Sequence, residues 1–382
     1  MRIVFFTESL LPLVDGVSHT LGHLFAALEA EGIDFRVYAP FVPPADISWQ
    51  PRTRRVRSFT FPLYRDYRIS LPGGRFIAAE LDEYQPDIVH VVSPTPMAIW
   101  AQTYARTRAI PVVGTFHTHF VAYFPYYGVG RLERVGWSIL RWFYGRCAAT
   151  FAPSASIVEE LNAHGITNVC LWSRGVDARR FAPGWRDDAL RARLGADDRT
   201  PLVLLVSRLV KEKDLADLVE MDSILRKRRH SYRLALVGDG PMRRRLERAL
   251  PDAHFAGHQS GPSLSRWYAS ADIFVFPSTT ETFANVVQEA MSSGVPAVVT
   301  DRGGPQSVIE PGRSGLVARA NDPADLADNV ERLILDRDLR IAMSHAARHR
   351  AQERSWDAVN AVLVREYQNI AGKRPEPIRR WA

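Results

Sequence analysis

Short runs of consecutive apolar residues alternate along this chain with longer stretches in which apolar positions return every three or four residues. The runs are Arg2–Phe6, Phe35–Ala39, Ile88–Val92, Val112–Thr115 and Thr150–Ala152, then Leu202–Val206, Leu234–Val237, Ile273–Phe276 and Ala297–Thr300. Short, β-rich, largely apolar runs of this kind are the mark of strands buried on both faces. The stretches between them, such as Thr20–Glu31, Ser154–Ala163 and Leu215–Arg228, read as amphipathic helices. Alternation of the two predicts parallel sheets covered by helices, and two separate series predict two doubly wound α/β domains. The stretch Phe181–Thr200 carries Pro183, Gly184, Gly195 and clustered charge but no strand pattern, so the boundary is expected there. After Asp322 the pattern is helical to Ile370. Open α/β sheets bind ligands beyond the carboxyl ends of their strands, so the expected site is the cleft between the domains.

The 382 residues fit two domains. Apolar residues at 46% and charged residues at 24% are ordinary for a soluble protein. The two cysteines, Cys147 and Cys170, are too few for a disulfide framework and fit a reducing compartment. No apolar run approaches 18 residues, which argues against a spanning helix. Met1–Asp15 holds Glu8 within its apolar stretch and lacks a small-residue cleavage site, so it reads as a strand and turn rather than a signal peptide. The expected location is cytoplasmic. Lys plus Arg number 49 against 42 Asp plus Glu, a net charge of +7 that favours anionic partners. Only four of the cations are lysines, and two of them, Lys211 and Lys213, stand two residues apart. Arg abundance is discounted as a functional signal; the lysine pair is not.

The chemistry-bearing segments lie where strands end. Glu281-Thr-Phe283-Ala284-Asn285-Val-Val-Gln-Glu289 follows the strand ending at Phe276, and a helix is predicted from near Phe283 to Ser293. Free amides at Phe283, Ala284 and Asn285, backed by the helix dipole, would face a phosphate. Glu281 at the helix entrance suits sugar hydroxyls and Glu289, two turns in, suits ribose hydroxyls. Taken alone, the pair reads more readily as a cap and a solvated surface residue. The string continues through Gly294-Val-Pro296 to Gly303-Gly304-Pro305. With that continuation it resembles the large retaining GT-B glycosyltransferase family that includes sucrose-phosphate synthases and bacterial lipid mannosyltransferases. Ala284 stands where that family often has glycine.

The resemblance implies two Rossmann-like domains facing each other across a deep cleft. An acceptor-side domain would span 1–180, rejoined by a C-terminal helix over 356–382, with a linker at 181–200 and a donor domain at 201–355. It assigns Arg208 and Lys213, after the strand Leu202–Val206, to the donor diphosphate, with Lys213 preferred over Lys211 by spacing. Gly238 and Gly240 in Val237-Gly-Asp-Gly-Pro241 would line the nucleotide pocket, and His254–His258 would meet the base through backbone. In the first domain, Gly16 matches a close approach to donor phosphates and His117 a position over the donor sugar, with His119 the weaker choice. The independent physical argument is that a departing nucleoside diphosphate gathers negative charge, which fixed cations stabilise.

First-domain features resemble GDP-mannose-dependent lipid mannosyltransferases and sulfoquinovosyl-diacylglycerol synthases. They are Phe61-Pro62-Leu63-Tyr64, Ile69–Pro72, Phe116–His119, Tyr126–Gly128 and Trp172–Asp177. The expected function is retaining transfer of a hexose, best mannose from GDP-mannose, to a hydroxyl of a lipid acceptor. The alternative is UDP-sugar-dependent transfer to diacylglycerol or to a soluble or polysaccharide acceptor. No Asp-x-Asp-like motif stands at a strand end, so no cofactor and no essential metal are expected. Tyr123–Arg146 is rich in aromatics and Arg, with Arg131, Arg134 and Arg141 on one side of a helical wheel. An anionic membrane surface is a candidate partner for it, against the plainer reading of a core helix with one wet edge. The run Arg52–Arg57 would add to that basic face. A basic nucleic-acid-binding protein is the non-transferase alternative, but no zinc-finger or RNP-type motif appears, and Glu281 and Glu289 would oppose a phosphate backbone. A phosphorylase would need a cofactor lysine, and Lys227 lies in the exposed-looking run Arg226–His230.

Overall fold

The computed structural model describes residues 1–372 apart from Val14, Pro62 and Leu63. Three parts of the sequence reading therefore lie outside the described residues: Val14 beside Gly16, the centre of the Phe61–Tyr64 run, and 373–382 of the expected C-terminal helix. Packing divides the chain into two units. One is Met1–Val121 with Arg131–Ser173 and the stretch from Asp357 onward; the other is Ala122–Gly130 with Arg174–Trp356.

The first unit holds β1 (Arg2–Phe6), β2 (Asp34–Ala39), β3 (Thr53–Arg55), β4 (Ser58–Phe61), β5 (Tyr64–Ser70), β6 (Ile88–Val91), β7 (Val112–Thr115), β8 (Ala149–Ala152) and β9 (Val169–Leu171). Seven of these form one parallel sheet in the order β3-β2-β1-β6-β7-β8-β9, while β4 and β5 make a separate antiparallel hairpin. The helix Gly16–Ala30 covers one face with Leu21, Leu24, Phe25 and Leu28. Phe25 stacks on Phe35 at 5.1 Å and meets Phe5 edge-on at 5.0 Å. The chain's last described helix, Trp356–Gly372, completes this core with Leu363, Val364 and Tyr367. The Tyr367 hydroxyl lies 2.6 Å from His90 Nδ1, and Thr115 Oγ1 meets the other ring nitrogen. Complete burial pushes the His90 imidazole down to about 3, so it is a neutral linker between strand and helix.

The second unit holds β10 (Leu202–Val206), β11 (Arg233–Val237), β12 (His254–Gly257), β13 (Ile273–Phe276), β14 (Ala297–Thr300) and β15 (Gly315–Ala318). They form a parallel sheet in the order β12-β11-β10-β13-β14-β15. The stretch 181–200, expected as a linker, is part of this unit. Phe181, Leu190 and Ala196 join its core. Asp187 caps the helix Asp188–Leu194 by accepting from the Leu190 amide at 2.9 Å. Arg191, buried in that helix, reaches Asp272 and the Ser270 carbonyl, both at 2.7 Å.

Candidate active site

In the second sheet the strand order reverses between β10 and β13: the chain winds outward from β10 through β11 to β12, then crosses back to β13 on β10's other side. The loops leaving the carboxyl ends of β10 and β13 therefore part in opposite directions and open a crevice at the switch point. Those loops carry Ser207–Asp214 and Pro277–Ala284. There the Lys213 ammonium forms an ion pair with the Glu281 carboxylate, with side chains only 7% and 26% exposed. Lys211, two residues earlier, is exposed, as is Arg208 nearer the strand. The Glu212 carbonyl accepts from the Thr280 hydroxyl at 2.8 Å. Asp214 Oδ2 accepts from both the amide and the hydroxyl of Thr279 at 2.8 Å. The two loops are thus tied together on both sides of Lys213.

Glycines let these loops approach. The Gly304 amide donates to the Glu281 carbonyl at 2.7 Å. A Cβ on Gly304 would stand 2.1 Å from the Thr282 carbonyl oxygen. Gly238 and Gly240 meet the same kind of close approach. A Cβ on Gly238 would stand 1.9 Å from the Ser207 carbonyl oxygen, and one on Gly240 2.5 Å from that of Leu209. Their φ angles, +129° and +156°, also disfavour a side chain. The neighbouring loop of this chain, which presses against β11's end, requires glycine at both positions.

The helix after Glu281 runs over Asn285–Ser292, starting two residues later than predicted. Ala284 precedes it in the left-handed region at φ +76°. That conformation explains why a glycine would serve at this position. Phe283 is buried in the core, so only its backbone is on offer. Asn285 is the first helical residue, and its Oδ1 is buried without a hydrogen-bond partner. Glu289 keeps partial exposure, and its carboxylate accepts from the fully buried Tyr268 hydroxyl at 2.8 Å. Burial pushes the Glu289 carboxyl up to about 7, against the opposing pull of the Tyr268 hydroxyl and the Arg180 guanidinium.

Two family descriptions match the sequence, "Glycosyltransferase Family 4" over residues 14–180 and "Glycosyl transferases group 1" over residues 186–350. A "GDP-mannose-dependent alpha-mannosyltransferase" from Mycolicibacterium smegmatis is 36% identical over 98% of this chain and 99% of its own length. The chain is a group 1 glycosyltransferase. A sulfoquinovosyl transferase from Arabidopsis thaliana is 33% identical to this glycosyltransferase over 97% of the chain and 74% of its own length. The solved sucrose-phosphate synthase from Thermosynechococcus elongatus superposes with a TM-score of 0.78 at 20% identity, covering 97% of this chain and 99% of that one. The glycosyltransferase therefore has the GT-B fold of two parallel-sheet domains and is a hexosyltransferase.

In the first unit of the glycosyltransferase, Gly16 opens the helix Gly16–Ala30 after β1. Asp15 caps that helix, accepting from the amides of Val17 at 2.9 Å and Ser18 at 2.7 Å. Those amides are engaged by the Asp15 cap. His117 is buried just beyond β7, its ring edge-on to Trp172 at 5.9 Å. His119 pairs with Glu160 at 2.9 Å and packs on Phe116 and Trp137. His119 is thus enclosed within the first unit. Two hydroxyls of the aromatic loop Tyr123–Tyr127 are engaged within the second unit. The Tyr126 hydroxyl donates to Asp214 at 2.6 Å and the Tyr127 hydroxyl to Glu212 at 3.3 Å, so these rings serve the second unit's loop. Neither contact was readable from sequence. The helix Glu133–Tyr144 buries Trp137, Leu140, Phe143 and Tyr144. Leu132, Val135, Ile139 and Trp142, spaced three, four and three residues apart, stay exposed.

Proposed function

We propose that this glycosyltransferase moves mannose from GDP-mannose, with retention at the anomeric carbon, to a hydroxyl of a lipid acceptor at a membrane surface. The observation that carries it is the Lys213–Glu281 pair at the switch point of the second sheet. In this reading the Lys213 ammonium and Arg208 guanidinium face the donor diphosphate, joined by the helix start at Phe283–Asn285. Glu281 holds Lys213 and accepts from sugar hydroxyls, and Glu289 accepts from the ribose diol. The sugar C1–oxygen bond to phosphate breaks through an oxocarbenium-like state. The acceptor oxygen bonds to C1 on the same face, and its proton passes to the departing phosphate oxygen. Positive charge fixed where the leaving group becomes anionic lowers the barrier without an essential metal. The near full-length mannosyltransferase relative supports the choice of donor.

The exposed stripe Leu132, Val135, Ile139 and Trp142 supports the membrane part of the reading. It lies among Arg131, Arg134, Arg141 and Arg146, and the Arg146 guanidinium sits 3.7 Å over the Trp142 ring. Apolar side chains flanked by cations suit the headgroup layer of an anionic leaflet. Among the described residues no helix is long and apolar enough to cross a membrane, so the attachment proposed is peripheral. The test incubates GDP-mannose or UDP-glucose with the enzyme and anionic vesicles containing diacylglycerol, with and without EDTA. Mannose should enter the lipid fraction from GDP-mannose, undiminished by EDTA. The enzyme should sediment with the vesicles less as salt rises, and less again with Arg134→Glu and Arg141→Glu together. Transfer from UDP-glucose alone would overturn the donor. Transfer to a soluble sugar with no vesicle binding at low salt would overturn the membrane reading.

A further inference from the structure

The segment Ala122–Gly130 leaves the first unit's sequence and packs in the second unit. Its Tyr126 hydroxyl donates to Asp214 Oδ1 at 2.6 Å and lies 3.0 Å from Thr279 Oγ1. Asp214 Oδ2 meanwhile takes the amide and hydroxyl of Thr279. One carboxylate thus joins three segments: its own loop, the loop after β13 and the inserted segment. Asp214 adopts φ +51° and ψ +37°, a left-handed conformation that is unfavourable for a residue with a Cβ and persists where surroundings hold it. It directly follows Lys213, and Thr279 stands two residues before Glu281. The hydrogen-bonded hub therefore fixes both chain segments that present the Lys213–Glu281 pair.

We propose that Tyr126 and Asp214 are positioning residues for this pair: by hydrogen-bonding Asp214, the inserted segment holds Lys213 in register for the donor diphosphate. The inference rests on the reading of Lys213 given above. A cation stabilises developing charge in proportion to how well it is placed beforehand. Without the Tyr126 hydroxyl the Asp214 carboxylate is held by Thr279 alone, its left-handed backbone relaxes, and the ammonium spends part of its time away from the phosphate. Charge on the leaving group is greatest in the transition state, so the loss falls on kcat and hardly on donor KM.

The test compares Tyr126→Phe, which keeps the ring, and Thr279→Val, each alone and combined with Lys213→Ala. Each single variant should lower kcat by about five- to twentyfold, the scale of one hydrogen bond to a charged group, with donor KM within about twofold and an unchanged melting temperature. In the Lys213→Ala background Tyr126→Phe should have almost no further effect, because the group it positions is gone. Unchanged kcat in folded Tyr126→Phe overturns the proposal, and so does an equal loss with and without Lys213. If Tyr126→Phe fails to fold, full kcat in Thr279→Val overturns it. Wild-type kinetics in Lys213→Ala alone would instead overturn the assignment of Lys213 itself.

Discussion

Replacing Tyr268 with Phe should move the pH at which the enzyme loses its donor. Burial lifts the Glu289 carboxyl from 4.5 to about 7, while the Tyr268 hydroxyl at 2.8 Å and the Arg180 guanidinium restrain the rise. A carboxyl accepts both ribose hydroxyls only when ionised. For the wild type, kcat/KM for the donor should therefore be level above about pH 7 and fall tenfold per pH unit below it. Deleting one hydrogen bond to a charged group removes about 1.5 kcal/mol, equivalent to roughly one pK unit. The acidic limb of Tyr268→Phe should then sit near pH 8, roughly fivefold down in kcat/KM at pH 7, with a smaller change in kcat. Stability carries the matching sign. A carboxyl whose folded value lies above its unfolded one contributes stability that is full below pH 4.5 and is lost as pH rises through about 7. Glu289→Gln, which does not titrate, should recover at pH 8 up to about 3 kcal/mol, less what partial exposure screens, while weakening donor binding. Steady-state donor kinetics from about pH 5.5 to 8.5 read the limb, and denaturant unfolding reads the stability. A wild-type profile flat across that range, or an acidic limb that Tyr268→Phe leaves in place, would refute the reasoning.

Two further outcomes follow from the second unit's loops. Lys213→Ala and Arg208→Ala should each reduce kcat/KM by the equivalent of about 3 kcal/mol, far more than Lys211→Ala; the reverse order would move the loop's register by two residues. Gly238→Ala would place a methyl 1.9 Å from the Ser207 carbonyl oxygen at φ +129°, so it should lower the melting temperature as well as donor affinity, and wild-type stability would mean the loops are slack.

The strands that sit centrally are the ones whose bounds sequence pattern places well. Ile3–Phe6 of the first strand and Leu202–Val206 are apolar throughout and buried. The edge strands β9 (Val169–Leu171) and β12 (His254–Gly257) are only three and four residues long and partly exposed, so neither stands out from its surroundings in the sequence. β15 (Gly315–Ala318) is disguised by Gly315, where a Cβ would stand 2.4 Å from the Ala297 carbonyl oxygen. At the site, the spacing of Lys213 and Glu281 is visible in the sequence as two separate segments. What joins them is the strand order, a product of packing that no local window contains. The Tyr126–Asp214 contact spans 88 positions and was invisible for the same reason. The aromatic loop keeps exposed residues such as Tyr127, as its composition suggests, while two of its hydroxyls reach carboxylates that no local pattern points to.

The last helix has a consequence for how the chain is made. The first unit's core lacks Leu363, Val364 and Tyr367 until almost the whole sequence has been synthesised, and His90 waits equally long for its tyrosine. The second unit, by contrast, is drawn almost entirely from one uninterrupted stretch, Arg174–Trp356. On the ribosome the usual amino-terminal-first order is therefore inverted. The half that begins the chain is the half that closes last, and for most of translation its sheet stands with one flank uncovered.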